Sequence, residues 1–202
     1  MSRMIVFVDA QNFYRSARRA FFDDGLDPYR FGQFHPSALG ELLAARDAGR
    51  TLAEVRLYTG RPDAYLQPAA HRANVLQCQA WEQAGCSVFT RQLRYPYGWP
   101  DNAGGQRPQE KGIDVRMALD IALLAYKGHY DVGVACSADT DLIPAIEEVL
   151  ADERGIQVEV AGWRAGRFRQ RLSIKSQNLW CHWLSREDYE RVRDDTDYAA
   201  SH

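Results

Sequence analysis

Met4-Ile-Val-Phe-Val-Asp-Ala-Gln-Asn12 decides the fold class. Its first five residues are uninterruptedly apolar and rich in β-branched and aromatic types, a run of strand length. The segment from Asn12 to Phe22 then carries apolar residues at helical spacing. The pair reads as a strand feeding a helix, with an acid, Asp9, at the junction.

Working outward, the same pattern recurs. Helical spacing runs over His35 to Arg46, Tyr65 to Ala84 (ending at Gly85), Ile113 to Tyr126 and Leu142 to Leu150. Strand-like runs cover Glu54 to Tyr58, Cys86 to Leu93, Asp131 to Cys136 and Ile156 to Ala161. Strands that alternate with helices imply right-handed βαβ units and a mainly parallel sheet covered on both faces. The predicted class is therefore α/β, a three-layer α/β/α sandwich. Two segments break the pattern and read as surface elements: Arg94 to Glu110, rich in Pro, Gly and aromatic residues, and Trp163 to Lys175, rich in arginine. Neither an internal repeat nor a long low-complexity tract is present. One domain is expected over residues 1–193, with Asp194 to His202 a frayed polar tail.

Composition narrows the classes. Of 202 residues, 46% are hydrophobic and 26% charged, the balance of a globular chain rather than a disordered one. The longest apolar stretches, such as Ile5 to Val8 and Ile121 to Ala125, are too short to span a bilayer, and Met1 is not followed by a signal-peptide core. No membrane partner is expected, and the cytoplasm is the expected location. Cys78, Cys86, Cys136 and Cys181 form no CxxC pair and read as buried free thiols. His35, His71, His129, His182 and His202 lack ligand spacing, so any metal should sit on oxygen donors. A net charge of −2 argues against coating nucleic acid by bulk charge and leaves local basic patches open.

In open α/β sheets, ligands bind beyond the carboxyl ends of the strands. Asp9 follows the first strand there, and Asp139 and Asp141 follow the strand that ends at Cys136. Asp114 opens the helix after Lys111-Gly112. Asp120 lies six residues on, about 240° around the helix, so it does not share a face with Asp114 and ranks below it. Crowded carboxylates raise one another's pKa unless a cation neutralises them. Mg²⁺ or Mn²⁺ suits such oxygen donors and supports hydrolytic attack on a phosphodiester. Asp and Asn before helices are also preferred N-caps, which accounts for any one of Asp9, Asn12, Asp139 or Asp141 alone. Capping does not explain the pair Asp139 and Asp141, or acids after two different strands.

Three segments, Val6-Phe-Val-Asp9-Ala-Gln-Asn12, Glu110-Lys-Gly-Ile-Asp114 and Ser137-Ala-Asp139-Thr-Asp141-Leu142, resemble NYN-domain proteins of the PIN-like nuclease superfamily, particularly the LabA-like branch. The likeness runs from about Arg3 to Leu184. It implies a PIN-like (Rossmann-like) sheet with the first and fourth strands adjacent, bringing Asp9, Asp114, Asp139 and Asp141 into one acidic pocket beside Asn12. By the same resemblance, Asp9, Asp114 and Asp139 are metal ligands, Asp141 is a further ligand or water-orienting group, and Asn12 contacts phosphate or supports the ligands. The family's glycine-containing turn before the acidic pair is here Ser137-Ala138.

Single-stranded nucleic acid is held by cations along its phosphates and by aromatic rings against its bases. Arg91, Arg94, Tyr95, Tyr97, Trp99 and Arg107 offer both next to Lys111, and Arg164, Arg167 and Arg169 form a second basic track. The alternatives are a loop whose aromatics pack on the domain and a solvated arginine face. The expected function is a metal-dependent endoribonuclease acting on RNA, single-stranded or structured, with DNA not separated from it. The alternative is an RNA-binding or regulatory protein of the same fold without cleavage. A metal-dependent phosphatase is disfavoured, because no DxDx[TV] segment follows the first strand. A homodimer is a further expectation, with no interface readable in the sequence.

Overall fold

The computed structural model describes residues 1–23, 25–101 and 104–200. Asn102 and Ala103 in the Pro- and Gly-rich segment, and Ser201 and His202 at the end of the anticipated tail, lie outside the described residues, as does Asp24. The chain runs β1 (Ser2–Asp9), α1 (Ala10–Phe21), α2 (Pro36–Ala44), β2 (Arg50–Arg61), α3 (Pro68–Gln83), β3 (Ser87–Gln92), α4 (Ile113–Tyr126) and β4 (Val132–Cys136). A 3₁₀ turn (Thr140–Leu142), α5 (Ile143–Leu150), β5 (Gln157–Ala165), β6 (Phe168–Arg169), β7 (Cys181–Leu184) and α6 (Arg186–Val192) follow.

The sheet order is β3-β2-β1-β4-β5-β6, with β7 also paired to β5. All of these pairings are parallel except the short β5–β6 ribbon. Connections from β1 lead first to β2 on one side and later to β4 on the other. The carboxyl ends of β1 and β4 therefore flank the switch point, where an open sheet leaves a crevice.

The apolar run in β1 is continuous because both of its faces are covered. Met4, Val6 and Val8 point into a core shared with α1, α2, α3 and α6, through Phe13, Leu39, Trp81 and Tyr189. Ile5 and Phe7 point the other way, into a core built by α4 and α5 through Met117, Ile121 and Ile146. The result is an α/β/α sandwich with a mostly parallel central sheet. Near the amino-terminal ends of the strands, Arg50 donates from both terminal guanidinium nitrogens to the Glu159 carboxylate at 2.7 Å, and His182 Nε2 meets it at 2.6 Å. Cys78, Cys86 and Cys136 are buried free thiols, and Cys181 is partly buried.

Two expectations need correction. β5 does not stop at Ala161 but continues to Ala165, so Trp163 belongs to the core rather than to a surface segment. Its indole packs 4.8 Å from Phe13 and donates to the Phe13 carbonyl at 3.1 Å. Asp194 to Tyr198 dock rather than fray: Asp194 is buried, accepts the Tyr198 hydroxyl at 2.8 Å, and its backbone N–H reaches the Gln33 carbonyl at 3.2 Å. Local pattern misses both, because each depends on a partner far away in sequence. The short β7 and α6 lie beyond the elements that periodicity predicts, although a reciprocal capping box between Ser185 and Asp188 marks the start of α6. No helix among the described residues is long and apolar enough to cross a membrane.

Candidate active site

Asp9 closes β1 and caps α1. Its Oδ1 accepts the Asn12 backbone N–H at 3.0 Å, and Ser137 Oγ donates to its Oδ2 at 3.4 Å. Ser137 Oγ also accepts the Asp139 N–H at 3.1 Å, and Asp139 Oδ1 caps the 3₁₀ turn by accepting the Asp141 N–H at 3.0 Å. Asn12 Oδ1 accepts the Ala138 N–H at 3.2 Å. Asp9 and Asp139 are thus both caps and candidate functional groups, since a cap occupies only one of a carboxylate's acceptor positions. The strand ends are fastened to each other by side chains of the motifs themselves.

Glu110, from the segment before α4, supplies a third acid. Its carboxylate accepts the Gly60 backbone N–H at the end of β2. A Cβ on Gly60 would sit 2.7 Å from Glu110 Cγ and 2.3 Å from a Leu93 methyl, so glycine is what admits the Glu110 side chain. Asp9, Asn12, Glu110 and Asp139 line one cavity of about 250 Å³, with Arg15 and Arg19 of α1 on the same wall. Burial pushes the Asp9 carboxyl up to about 6. The Asn12 N–H opposes that rise, while the Glu110 and Asp139 charges add to it. Burial also raises Glu110; its Gly60 hydrogen bond and Arg15 pull it down, and Asp114 pushes it up.

Asp114 stands in the first turn of α4 but lines a neighbouring cavity with Arg91, Lys111 and Gly112. Gly112 precedes it at φ 75°, and the Arg91 guanidinium would meet a Cβ there at 2.5 Å. Asp141 is exposed and lines neither cavity. Asp120 is accounted for by packing: it is buried and bonded to Tyr58 (2.9 Å), Arg56 (3.2 Å) and Arg116 (3.0 Å). Glu110, Arg15 and Arg19 are site residues that the sequence pattern does not single out. Glu110 opens the second motif, and Gln11, Arg15 and Arg19 recur every four residues along one helix face. That spacing was legible, but the direction of the face was not.

Carboxylate oxygens are the hard donors that Mg²⁺ and Mn²⁺ take, and among the described residues no cation pairs with the half-buried Asp9 carboxyl to hold it ionised. Donor chemistry therefore fits a divalent ion. Among the described residues, no three His, Cys, Asp or Glu side chains stand close enough together to hold one as they are.

Beside the acids, Arg94, Tyr97, Arg107 and Lys111 line an open groove that shares Glu110 with the acidic cavity. Its aromatics divide by role. Tyr95 packs on Trp99 (5.1 Å) and hydrogen-bonds Gln67 and Asp63, whereas Tyr97 is fully exposed. Arg164 and Arg169 face each other across the β5–β6 ribbon and Arg167 lies in its turn, all exposed. Gln170, just past the ribbon, lines the acidic cavity.

No curated protein matches the sequence at a significant level. Among solved structures, a protein of unknown function from Vibrio parahaemolyticus is similar at 16% identity and a TM-score of 0.49, over 80% of this chain and 81% of that one. A deacetylase in complex with teicoplanin, from the teicoplanin biosynthesis pathway, is similar at 15% identity and a TM-score of 0.36, over 79% and 69%. The NYN domain family model matches residues 3–178. With the sheet order and the acid-lined switch point in place over that span, the chain belongs to the NYN domain family and has its PIN-like nuclease fold.

Proposed function

We propose that this protein is a divalent-metal-dependent endoribonuclease that hydrolyses phosphodiester bonds of single-stranded RNA. The observation that carries this reading is the convergence of Asp9, Glu110 and Asp139 on one cavity whose wall also presents Arg15 and Arg19. An acidic site alone repels a phosphate. Two arginines on the same wall offset that repulsion and give the backbone a point of attachment.

Asp9, Asp139 and Glu110 would hold Mg²⁺ or Mn²⁺, with Asp114 and Asp141 at the periphery. When bound, the ion neutralises phosphate charge and makes a water molecule more acidic. Asn12 keeps the β4 loop in register with α1 and so sets the spacing between Asp9 and Asp139. Arg94, Tyr97 and Lys111 serve the strand on one side of the cavity and Arg164, Arg167 and Arg169 on the other, by phosphate pairing and base stacking.

The test is cleavage of labelled single-stranded RNA, structured RNA and DNA by purified protein with Mn²⁺, Mg²⁺ or EDTA, comparing wild type with D9N, E110Q and D139N. Metal-dependent cutting of RNA that all three substitutions reduce at least a hundredfold supports the proposal. RNA binding without cutting on any substrate would instead support a binding or regulatory protein.

A further inference from the structure

α4 is apolar nearly all the way round. Its inner face buries Ile113, Met117 and Ile121 in the core shared with β1 and α5. Its outer face carries Val115, Leu119, Leu123 and Tyr126, each 45–56% exposed. At about 100° per residue, the four fall within roughly 80° of one another and form a stripe along most of the helix. The charged residues of α4 do not interrupt it. Asp120 is buried against Tyr58 and Arg56, and Arg116 leans back to Asp120 (3.0 Å) and over the Phe89 ring (4.5 Å). A helix that is hydrophobic all round belongs in an interior, and single exposed leucines scattered over a surface do not line up in this way.

The stripe is its own complement. Against a second α4 running in the opposite direction, with a two-fold axis at the level of Ile121, Leu119 lies at the height of the partner's Leu123. Val115 then lies within one residue of the level of the partner's Tyr126. Such reciprocity is what a contact between identical surfaces requires. Ala118 and Ala122, small and half-buried, leave room for the two helices to approach. The exposed parts of the four side chains make an apolar patch on the order of 300–400 Å² on each copy, at the upper end for a monomer's surface. A two-copy contact of standard size takes about 800 Å² per partner, with an apolar centre and a polar rim. Lys127, Glu147 and Glu148, all exposed, stand beside the stripe as such a rim. A net charge of −2 puts little repulsion between copies. A lipid surface is a poorer match, because helices that lie on one carry Lys and Arg along the polar face, and α4 holds one arginine and no lysine.

We infer that α4 packs antiparallel against the α4 of a second copy, so that the protein is a two-fold dimer. Val115, at one end of the stripe, also lines the cavity of Arg91, Lys111 and Asp114. The seam between the copies therefore reaches the rim of the candidate active site, where the partner's Tyr126 stands. Because the helices run in opposite directions, the two sites open at opposite ends of the helix pair.

The test needs neither RNA nor metal, so its outcome is independent of the nuclease reading. Sedimentation equilibrium of the full chain over a concentration range on the order of 1–100 μM should give a particle of twice the chain mass. Leu119→Glu combined with Leu123→Glu sets like charges across the axis and should weaken the dimer at least a hundredfold in Kd. Far-UV circular dichroism should stay as in wild type, since both side chains face solvent in a single copy. Leu119→Lys combined with Leu123→Lys should behave in the same way. Mixing the two double variants should restore the dimer as a heterodimer, the result expected of a stripe that faces itself. Should a double variant lose the wild-type spectrum, Leu123→Gln carries the comparison, with at least a tenfold weakening expected. A wild type that stays monomeric over that range would overturn the proposal. So would a dimer that the folded variants leave intact, which places the contact on another face, or a mixture of folded Glu and Lys variants that stays monomeric.

Discussion

Asn12 Oδ1 accepts the backbone N–H of Ala138 at 3.2 Å, across 126 residues of sequence. This bond ties the first turn of α1 to the loop after β4, and so couples the two strand ends that present Asp9 and Asp139. Asn12→Ala should cost about 1 kcal/mol of stability, the usual scale for one such bond. RNA cleavage should fall by at least tenfold, because only the Ser137 hydroxyl then ties Asp9 to the loop that carries Asp139. Urea denaturation and cleavage rates on the same preparation check this, and a cleavage rate that follows the folded fraction alone would refute the bracing role.

Gly60 has no room for a methyl group. Gly60→Ala places a Cβ 2.3 Å from the Leu93 side chain and 2.7 Å from Glu110 Cγ, so one of them must shift. Overpacking of this kind costs about 1–3 kcal/mol. Thermal melts should show that loss, and cleavage should fall more steeply than stability as Glu110 is displaced from the acidic cavity.

A divalent ion that binds the folded protein raises its melting temperature by mass action. At a hundredfold excess over Kd the gain is about 2.7 kcal/mol, or roughly 5–10 °C for a chain of this size. Wild type should show such a rise with Mn²⁺ or Mg²⁺, and D9N and D139N should show little of it. Equal rises in all three proteins would place the ion elsewhere.

Burial pushes the Glu159 carboxyl up, but hydrogen bonds from His182 and Arg50 outweigh it and hold the group down to about 2. The stabilisation from this depressed carboxyl is fully present above the ordinary glutamate value of about 4.3 and is lost as pH falls toward 2. Wild-type stability should therefore drop across that window. Glu159→Gln should cost about 1.5–3 kcal/mol at neutral pH, the scale of hydrogen bonds to a charged group, since Arg50 keeps its salt bridge to Asp47 at 3.1 Å. The variant should also show a shallower dependence on pH between 4.3 and 2, read by denaturation at a series of pH values.

Phosphate contacts are counted by salt. If Arg164, Arg167 and Arg169 each meet an RNA phosphate, every alanine substitution should reduce the slope of log affinity against log salt by about 0.7. Tyr97→Ala should weaken binding by stacking loss and leave that slope unchanged. Binding isotherms at several salt concentrations separate the two effects.

The sequence by itself determined the layered architecture. The five apolar residues of β1, the helical spacing of α4 from Ile113 to Tyr126 and the recurrence of strand after helix depend on period and burial, which local pattern records. It also marked Asp9, Asp114, Asp139 and Asp141, because residues after buried strands and at helix starts are visible along the chain. Only the tertiary structure decided which acids meet. Glu110 enters the cavity of Asp9 and Asp139 because Gly60, fifty residues earlier, leaves it space, while Asp114 turns toward Arg91 and Lys111. The same holds for Trp163, which reads as part of a basic surface segment until Phe13 supplies its partner. It holds again for Trp81 and Gln33, since α3 and the segment before α2 line one cavity only in space. Periodicity tells which residues are buried; what they are buried against is set by crossovers that bring distant segments together.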